Sequence, residues 1–118
     1  MSKGNLSRTE NQGAPRLGYS EYGISRARYI ELRNGCAEGK YSPETLQEAC
    51  RGLEFIKPWI LLSVTKSKSY DLIEFNTKLG RIPIGRTDFY GFRRKFYHNL
   101  DLILKKELKR YEEKQQRE

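Results

Sequence analysis

Histidine occurs once in these 118 residues, at His98, and cysteine twice, at Cys36 and Cys50. A single histidine removes multi-histidine metal sites, and neither cysteine has the C-x-x-C neighbour of a zinc or redox motif. The two thiols are read as small buried apolar groups rather than as a disulfide. The chain also lacks a glycine loop that cradles phosphate and a G-x-S-x-G nucleophile elbow. No apolar run approaches the roughly 18 to 20 residues of a membrane-spanning helix. The N-terminus has no apolar stretch of the secretory kind, so a cytoplasmic setting is expected. Together these absences predict a protein that is not an enzyme, carries no metal or cofactor, and has no membrane partner.

The chain has enough length for one domain and enough apolar residues, 36% before its 10 glycines are added, for one core. Its conspicuous property is charge. Lys and Arg number 23 against 15 acids, for a net +8 and a pI near 9.6. Such a surplus favours polyanionic partners without choosing among them.

Residues 1–18 contain three glycines, one proline and almost no apolar side chains. They cannot bury enough surface to offset the entropy of ordering, which predicts a flexible basic arm. Such an arm either touches phosphates or is a plain disordered terminus. From Tyr19 to Tyr111 the pattern predicts a single all-α domain of four or five helices, with residues 112–118 a frayed tail. Ser25 caps a helix carrying Ala27, Tyr29, Ile30 and Leu32, which Asn34-Gly35 should stop. Ser42-Pro43-Glu44 supplies a cap hydroxyl, a first-turn proline and a first-turn acid. The helix they start presents Leu46, Ala49, Cys50, Leu53 and Ile56, and Pro58 should break it. The apolar run Trp59 to Val64 fits a short buried helix, and Thr65 to Lys68 a polar linker. Ser69 caps a helix bearing Leu72, Ile73, Phe75 and Leu79 up to Gly80. Pro83 then forces a turn. A last helix runs from about Arg86 to Tyr111 on an apolar stripe of Phe89, Phe92, Phe96, Leu100, Ile103 and Leu104.

The charge is concentrated in one region. Residues 81–110 hold nine bases against three acids, so +6 of the net +8 lies there. A solvated helix face more often mixes signs, and this asymmetry points to nucleic acid. At ~100° per residue, with Phe89 at zero, the apolar stripe spans about 60° on either side. Thr87, Gly91, Arg94, His98 and Lys105 point nearly opposite, Lys95 lies on one flank, and Tyr90, Tyr97 and Asp101 lie on the other. Arg93, at about 40°, is expected to snorkel or to pair with an acid inside the domain. The early turns thus offer Arg86, Thr87, Tyr90 and Arg94 to a major groove, with Gly91 permitting close approach. Arginine reads guanine there with two hydrogen bonds. Lys95 extends that DNA-binding set, and Arg81 and Lys105 are weaker phosphate contacts. His98 has no catalytic partners and is read as solvent-facing or phosphate-adjacent.

Ser69-Tyr70-Asp71-Leu72-Ile73 followed by Ile82-Pro83-Ile84-Gly85-Arg86-Thr87 resembles the helix-turn-helix of sigma-factor C-terminal regions, where a similar pattern leads into the DNA-reading helix. The segment from Ser69 to Gly80 is longer than that pattern, and Arg81 is an extra residue before Ile82. With Tyr22-Gly23-Ile24-Ser25, Asp88-Phe89-Tyr90 and Arg93-Arg94-Lys95-Phe96, residues 19–104 look like small regulators of Firmicutes prophages and mobile elements of the ArpU/RinA type. The resemblance implies a helix-turn-helix-like pair over residues 69–104 and a transcriptional regulator of a phage or mobile element. It implies double-stranded DNA as partner, read by Arg86, Thr87, Tyr90 and Arg94. An alternative is a non-catalytic interaction module, docking on RNA polymerase or another host protein. Leu104, Leu108 and Tyr111 would then form a seam for that partner or for a homodimer. RNA binding through the scattered tyrosines and arginines is a third reading.

Overall fold

The computed structural model describes residues 14–117. The predicted arm falls mostly on residues 1–13, outside the described residues. The remainder of it, from Ala14 onward, packs against the body. The fold is mostly helical. Helix α1 spans Arg26–Ala37, α2 Pro43–Ala49, α3 Lys57–Lys66, α4 Tyr70–Ile73 and α5 Arg86–Arg117. A small antiparallel hairpin separates α4 from α5, pairing β1 (Phe75–Asn76) with β2 (Gly80–Arg81) in the register Phe75 to Arg81 and Asn76 to Gly80.

Two of the three expected serine caps act through their hydroxyls; Ser69 stands at the N-cap of α4 but makes no side-chain capping bond. The Ser25 hydroxyl accepts from the Arg28 N–H at 3.1 Å, and the Ser42 hydroxyl accepts from the Thr45 N–H at 3.1 Å. Each satisfies a donor that a helix N-terminus leaves without an intrahelical acceptor. Stop signals are less obedient. Helix α1 runs through Asn34-Gly35; the Tyr41 ring lies against the helix there, and a Cβ on Gly35 would sit 2.5 Å from its hydroxyl, so the glycine serves close packing and not termination. The actual exit is at Gly39, in the left-handed region with φ +74°, where the Lys40 N–H closes onto the Gly35 carbonyl.

Helix α2 stops at Ala49 instead of continuing to Ile56. Gly52, at φ +83°, leads into successive tight turns that still bury Leu53 and Ile56. Pro58 accordingly opens α3 rather than breaking α2, since a proline in the first turn lacks only an N–H with no helical acceptor. The run Trp59 to Val64 is helical, and Ile60, Ser63 and Val64 are buried. Its C-cap, Ser67, is itself left-handed at φ 54°.

The largest departure lies between Ser69 and Gly80. The predicted helix is a single turn, α4, followed by the hairpin. Asn76 Oδ1 accepts from the Lys78 and Leu79 N–H groups at 2.9 and 2.8 Å, which closes the turn that a helix would have continued through. Gly80 adopts φ +85°, and its carbonyl accepts from the Trp59 indole at 3.1 Å. Ile73 is buried, whereas Leu72, Phe75 and Leu79 are exposed. The first helix of a helix-turn-helix pair is therefore reduced to one turn.

Helix α5 has 32 residues and so spans about 48 Å. Its first half is the axis of the core: Phe89, Phe92, Phe96, Tyr97 and Leu100 are buried among side chains from α1, α2, α3 and α4. It does not end near Tyr111 but continues through the region read as a frayed tail. Both cysteines are free and buried. Burial pushes the Cys36 thiol up to about 12 and the Cys50 thiol up to about 11, so neither is a thiolate near neutrality. No helix among the described residues is long and apolar enough to cross a membrane.

Candidate nucleic-acid interface

The early turns of α5 have less free surface than their helical angles suggest. Residues 14–22 lie across the face opposite the core. Gly91 is buried beneath them: a Cβ there would meet the Pro15 carbonyl oxygen at 2.6 Å and the Ala14 methyl at 3.2 Å. The glycine expected to admit DNA admits the chain's own backbone. Arg94 donates from Nε to the Leu17 carbonyl at 3.1 Å, and Arg16 reaches Asp88 at 3.4 Å. Tyr22 stacks on His98 with ring centroids 4.4 Å apart, and the Lys95 ammonium lies 5.8 Å from the Tyr22 ring. Burial, then the nearby Lys95, holds His98 below its ordinary pKa, so the imidazole is neutral at physiological pH.

The other residues of the expected reading face divide. Arg86 is exposed, but its guanidinium pairs with Asp71 and sits 5.8 Å from the Tyr70 ring. Thr87 is exposed. The Tyr90 hydroxyl accepts from the Tyr70 N–H at 2.9 Å, which ties α4 to α5. Arg81 is exposed beside Glu74, at 3.9 Å, and over Phe75. Arg86, Thr87, Tyr90 and Arg94 thus do not form one open face, because Arg86, Tyr90 and Arg94 are hydrogen-bonded within the domain and residues 14–22 cover the ground between. Arg93 turns inward as its angle predicts, yet it meets no acid among the described residues. Its Nη1 donates to the Ser63 hydroxyl at 3.0 Å, and its guanidinium stacks on Tyr90 at 4.7 Å.

Lys105 belongs to a structural network. Asp101 is buried and accepts from Arg28 Nε at 2.7 Å, while Lys105 lies 3.0 Å from its other oxygen. Burial alone would raise the Asp101 carboxyl. The hydrogen bonds from Arg28 and Lys105 overcome that effect and hold it below the ordinary carboxylate value.

Open positive surface lies further along α5. Past Leu104 every described side chain of the helix is exposed, so the second half of α5 projects from the body. Lys95, Lys106, Lys109 and Arg110 fall within an arc of about 100° on this helix. Among the described residues none of the four pairs with an acid. Lys95, Lys106 and Arg110 line a groove of about 670 Å³ between α5 and the turn after α2, with Arg51 on the far wall. Asn99 builds that groove by donating to the Ala49 carbonyl at 2.9 Å, which holds the turn against the helix. Glu48 and Glu107 also line it, and Glu48 pairs with Arg51 at 3.4 Å.

Sequence periodicity contained this stripe, since the residue angles follow from helix geometry alone. What it did not contain was the segment across Gly91, which removes the competing face and leaves the later turns as the open one. No family model, curated protein or solved structure matches the chain.

Proposed function

We propose that this protein is a non-catalytic regulator of a phage or mobile element, of the kind its ArpU/RinA-type resemblance implies, and that it binds double-stranded DNA through a stripe that starts at Lys95 and continues along the second half of α5. The observation that carries the reading is the unpaired stripe of Lys95, Lys106, Lys109 and Arg110 on a helix that leaves the body. From Lys95 to Arg110 the stripe runs about 22 Å at the helical rise, and a major groove about 12 Å wide admits a helix. Lysine and arginine at these positions neutralise backbone phosphates, and each neutralised phosphate releases condensed counterions. Four such contacts give a salt slope near −3.6, or a loss of roughly a hundredfold in affinity for a fourfold rise in salt.

The test is a titration of the full chain with duplex DNA at two salt concentrations. Lys106→Gln and Arg110→Gln should each weaken binding and lower the salt slope by about one. Arg94→Ala should leave the slope unchanged, because Arg94 is engaged with Leu17. Absent binding, or binding indifferent to salt, overturns the proposal. A larger effect from Arg94→Ala than from Lys106→Gln would return the contact to the early turns.

A second reading rests on the same projection. Leu104 is half-buried, Leu108 and Tyr111 are exposed, and their i, i+4, i+7 spacing forms an apolar seam on the helix that leaves the body. A partner helix, from a host protein or a second copy, would cover it. Sedimentation at two concentrations separates the dimer from a strict monomer.

A further inference from the structure

Charge burial leaves one site that the DNA-binding stripe does not use. Arg93 points into the body between α3 and α5, and no carboxylate among the described residues lies within ion-pair distance of it. Its Nε is buried and has no hydrogen-bond partner. The guanidinium is half-buried and only partly compensated, by the Ser63 hydroxyl and the Tyr90 ring, so an anion beside its free Nε would offset desolvation that these contacts leave. Nearby phenols do not supply one. Burial pushes Tyr97 and Tyr19 well above the usual tyrosine value, and both remain neutral.

The same guanidinium lines a cavity of about 170 Å³, whose other walls include Arg33, Lys68, Ser63, Ser69 and Tyr90. Three cations therefore surround one small cavity, with no acid among the described residues on its wall. Arg33 and Lys68 are exposed and make no side-chain ion pair among the described residues, so they are free to close on a ligand from the solvent side. The floor is organised in advance. The Ser63 hydroxyl donates to the Lys68 carbonyl at 2.7 Å and accepts from Arg93, which fixes the guanidinium in its plane. Ser67, on the same wall, holds the left-handed conformation that non-glycine residues avoid, a strain that recurs at ligand sites. The cavity is below the roughly 300 Å³ at which pockets for drug-sized ligands begin, so it suits a single compact group.

We propose that this cavity binds a phosphate group, with Arg93 as the half-buried anchor, Arg33 and Lys68 as the closing cations, and the Ser69 hydroxyl as a further polar contact. Arginine is suited to the anchor because its planar fork matches phosphate oxygens and it stays charged when buried. The phosphate is either free, as inorganic phosphate or a small monoester, or part of a nucleic-acid backbone. The site is independent of the α5 stripe and stands whether or not that stripe binds DNA.

The experiment is a thermal melt of the full chain in increasing inorganic phosphate, against sodium chloride of equal ionic strength. A ligand at free concentration L that binds only the folded state stabilises it by RT ln(1 + L/Kd), so the melting temperature keeps rising with ligand concentration. The expected result is a rise of several degrees specific to phosphate. Arg33→Gln and Lys68→Gln should each reduce the apparent affinity about tenfold while leaving the melt in chloride unchanged, since both side chains are exposed and unpaired. Arg93→Gln should abolish the response; if it fails to fold, the two rim variants still decide the matter. A phosphate-specific rise that all three variants retain, or no rise beyond chloride, overturns the proposal. A parallel duplex-DNA titration identifies the source: Lys68→Gln weakens it if the phosphate is a backbone phosphate and leaves it unchanged if the phosphate is free.

Discussion

Gly91 and Pro15 are in backbone contact, with room for no side chain between them: a Cβ on Gly91 would lie 2.6 Å from the Pro15 carbonyl oxygen. That contact determines which part of α5 is open. The segment it seats carries Ala14 into the core, Leu17 onto Arg94 and Tyr22 onto His98. A glycine inside a helix is otherwise a cost of about 1 kcal/mol relative to alanine.

Gly91→Ala is therefore expected to have two opposed effects. The helix gains about 1 kcal/mol in propensity, while residues 14–22 must shift off the helix and lose their contacts. The melting temperature should move little, and the local structure a great deal. Amide exchange should speed up for residues 14–24, and a protease should cut within that segment. An unchanged exchange pattern there would mean that the segment does not depend on the absent side chain.

The Arg28–Asp101–Lys105 network predicts the response to acid. The folded state holds the Asp101 carboxyl below its ordinary value, so the network's contribution is present above the unfolded pKa and is lost as pH falls through the folded one. Arg28→Gln removes the shorter of the two hydrogen bonds to a buried carboxylate and should cost about 1.5–3 kcal/mol near neutrality. It should also move the midpoint of acid unfolding to higher pH. Lys105→Gln should cost less, because Lys105 is 60% exposed and water competes for it. Circular dichroism melts across pH 3 to 7 distinguish these outcomes, and an equal cost for the two variants would contradict the assignment of Arg28 as the main partner.

Gly35 and Tyr41 predict a sign reversal. In the native chain Gly35→Ala forces a methyl into the Tyr41 ring, at a cost of about 1–3 kcal/mol. In a Tyr41→Ala background the obstacle is gone, and the same substitution should stabilise by about 1 kcal/mol through helix propensity. Chemical denaturation of the four proteins in this cycle measures the coupling. Additive effects would show that the ring yields without cost.

What the amino-acid sequence determined by itself was local and periodic. Ser25 and Ser42 cap helices because a hydroxyl beside free N–H groups needs no tertiary partner. The stripe from Phe89 to Leu100 is core because its spacing places it on one side of any helix it forms. The inward turn of Arg93 followed from the same arithmetic. Tertiary structure decided the rest. Asn34-Gly35 did not stop α1: the glycine instead makes room for the Tyr41 ring, which comes from beyond the helix. The Ser69 to Gly80 segment did not remain helical, because Asn76 bonds its own backbone and Trp59 holds the Gly80 carbonyl from another element. Above all, helical angles can say that Gly91 and Arg94 point away from the core, but not what lies there. Only the packing of residues 14–22, more than seventy positions earlier in the chain, settled that this face is covered, and with it where on α5 the positive charge meets solvent.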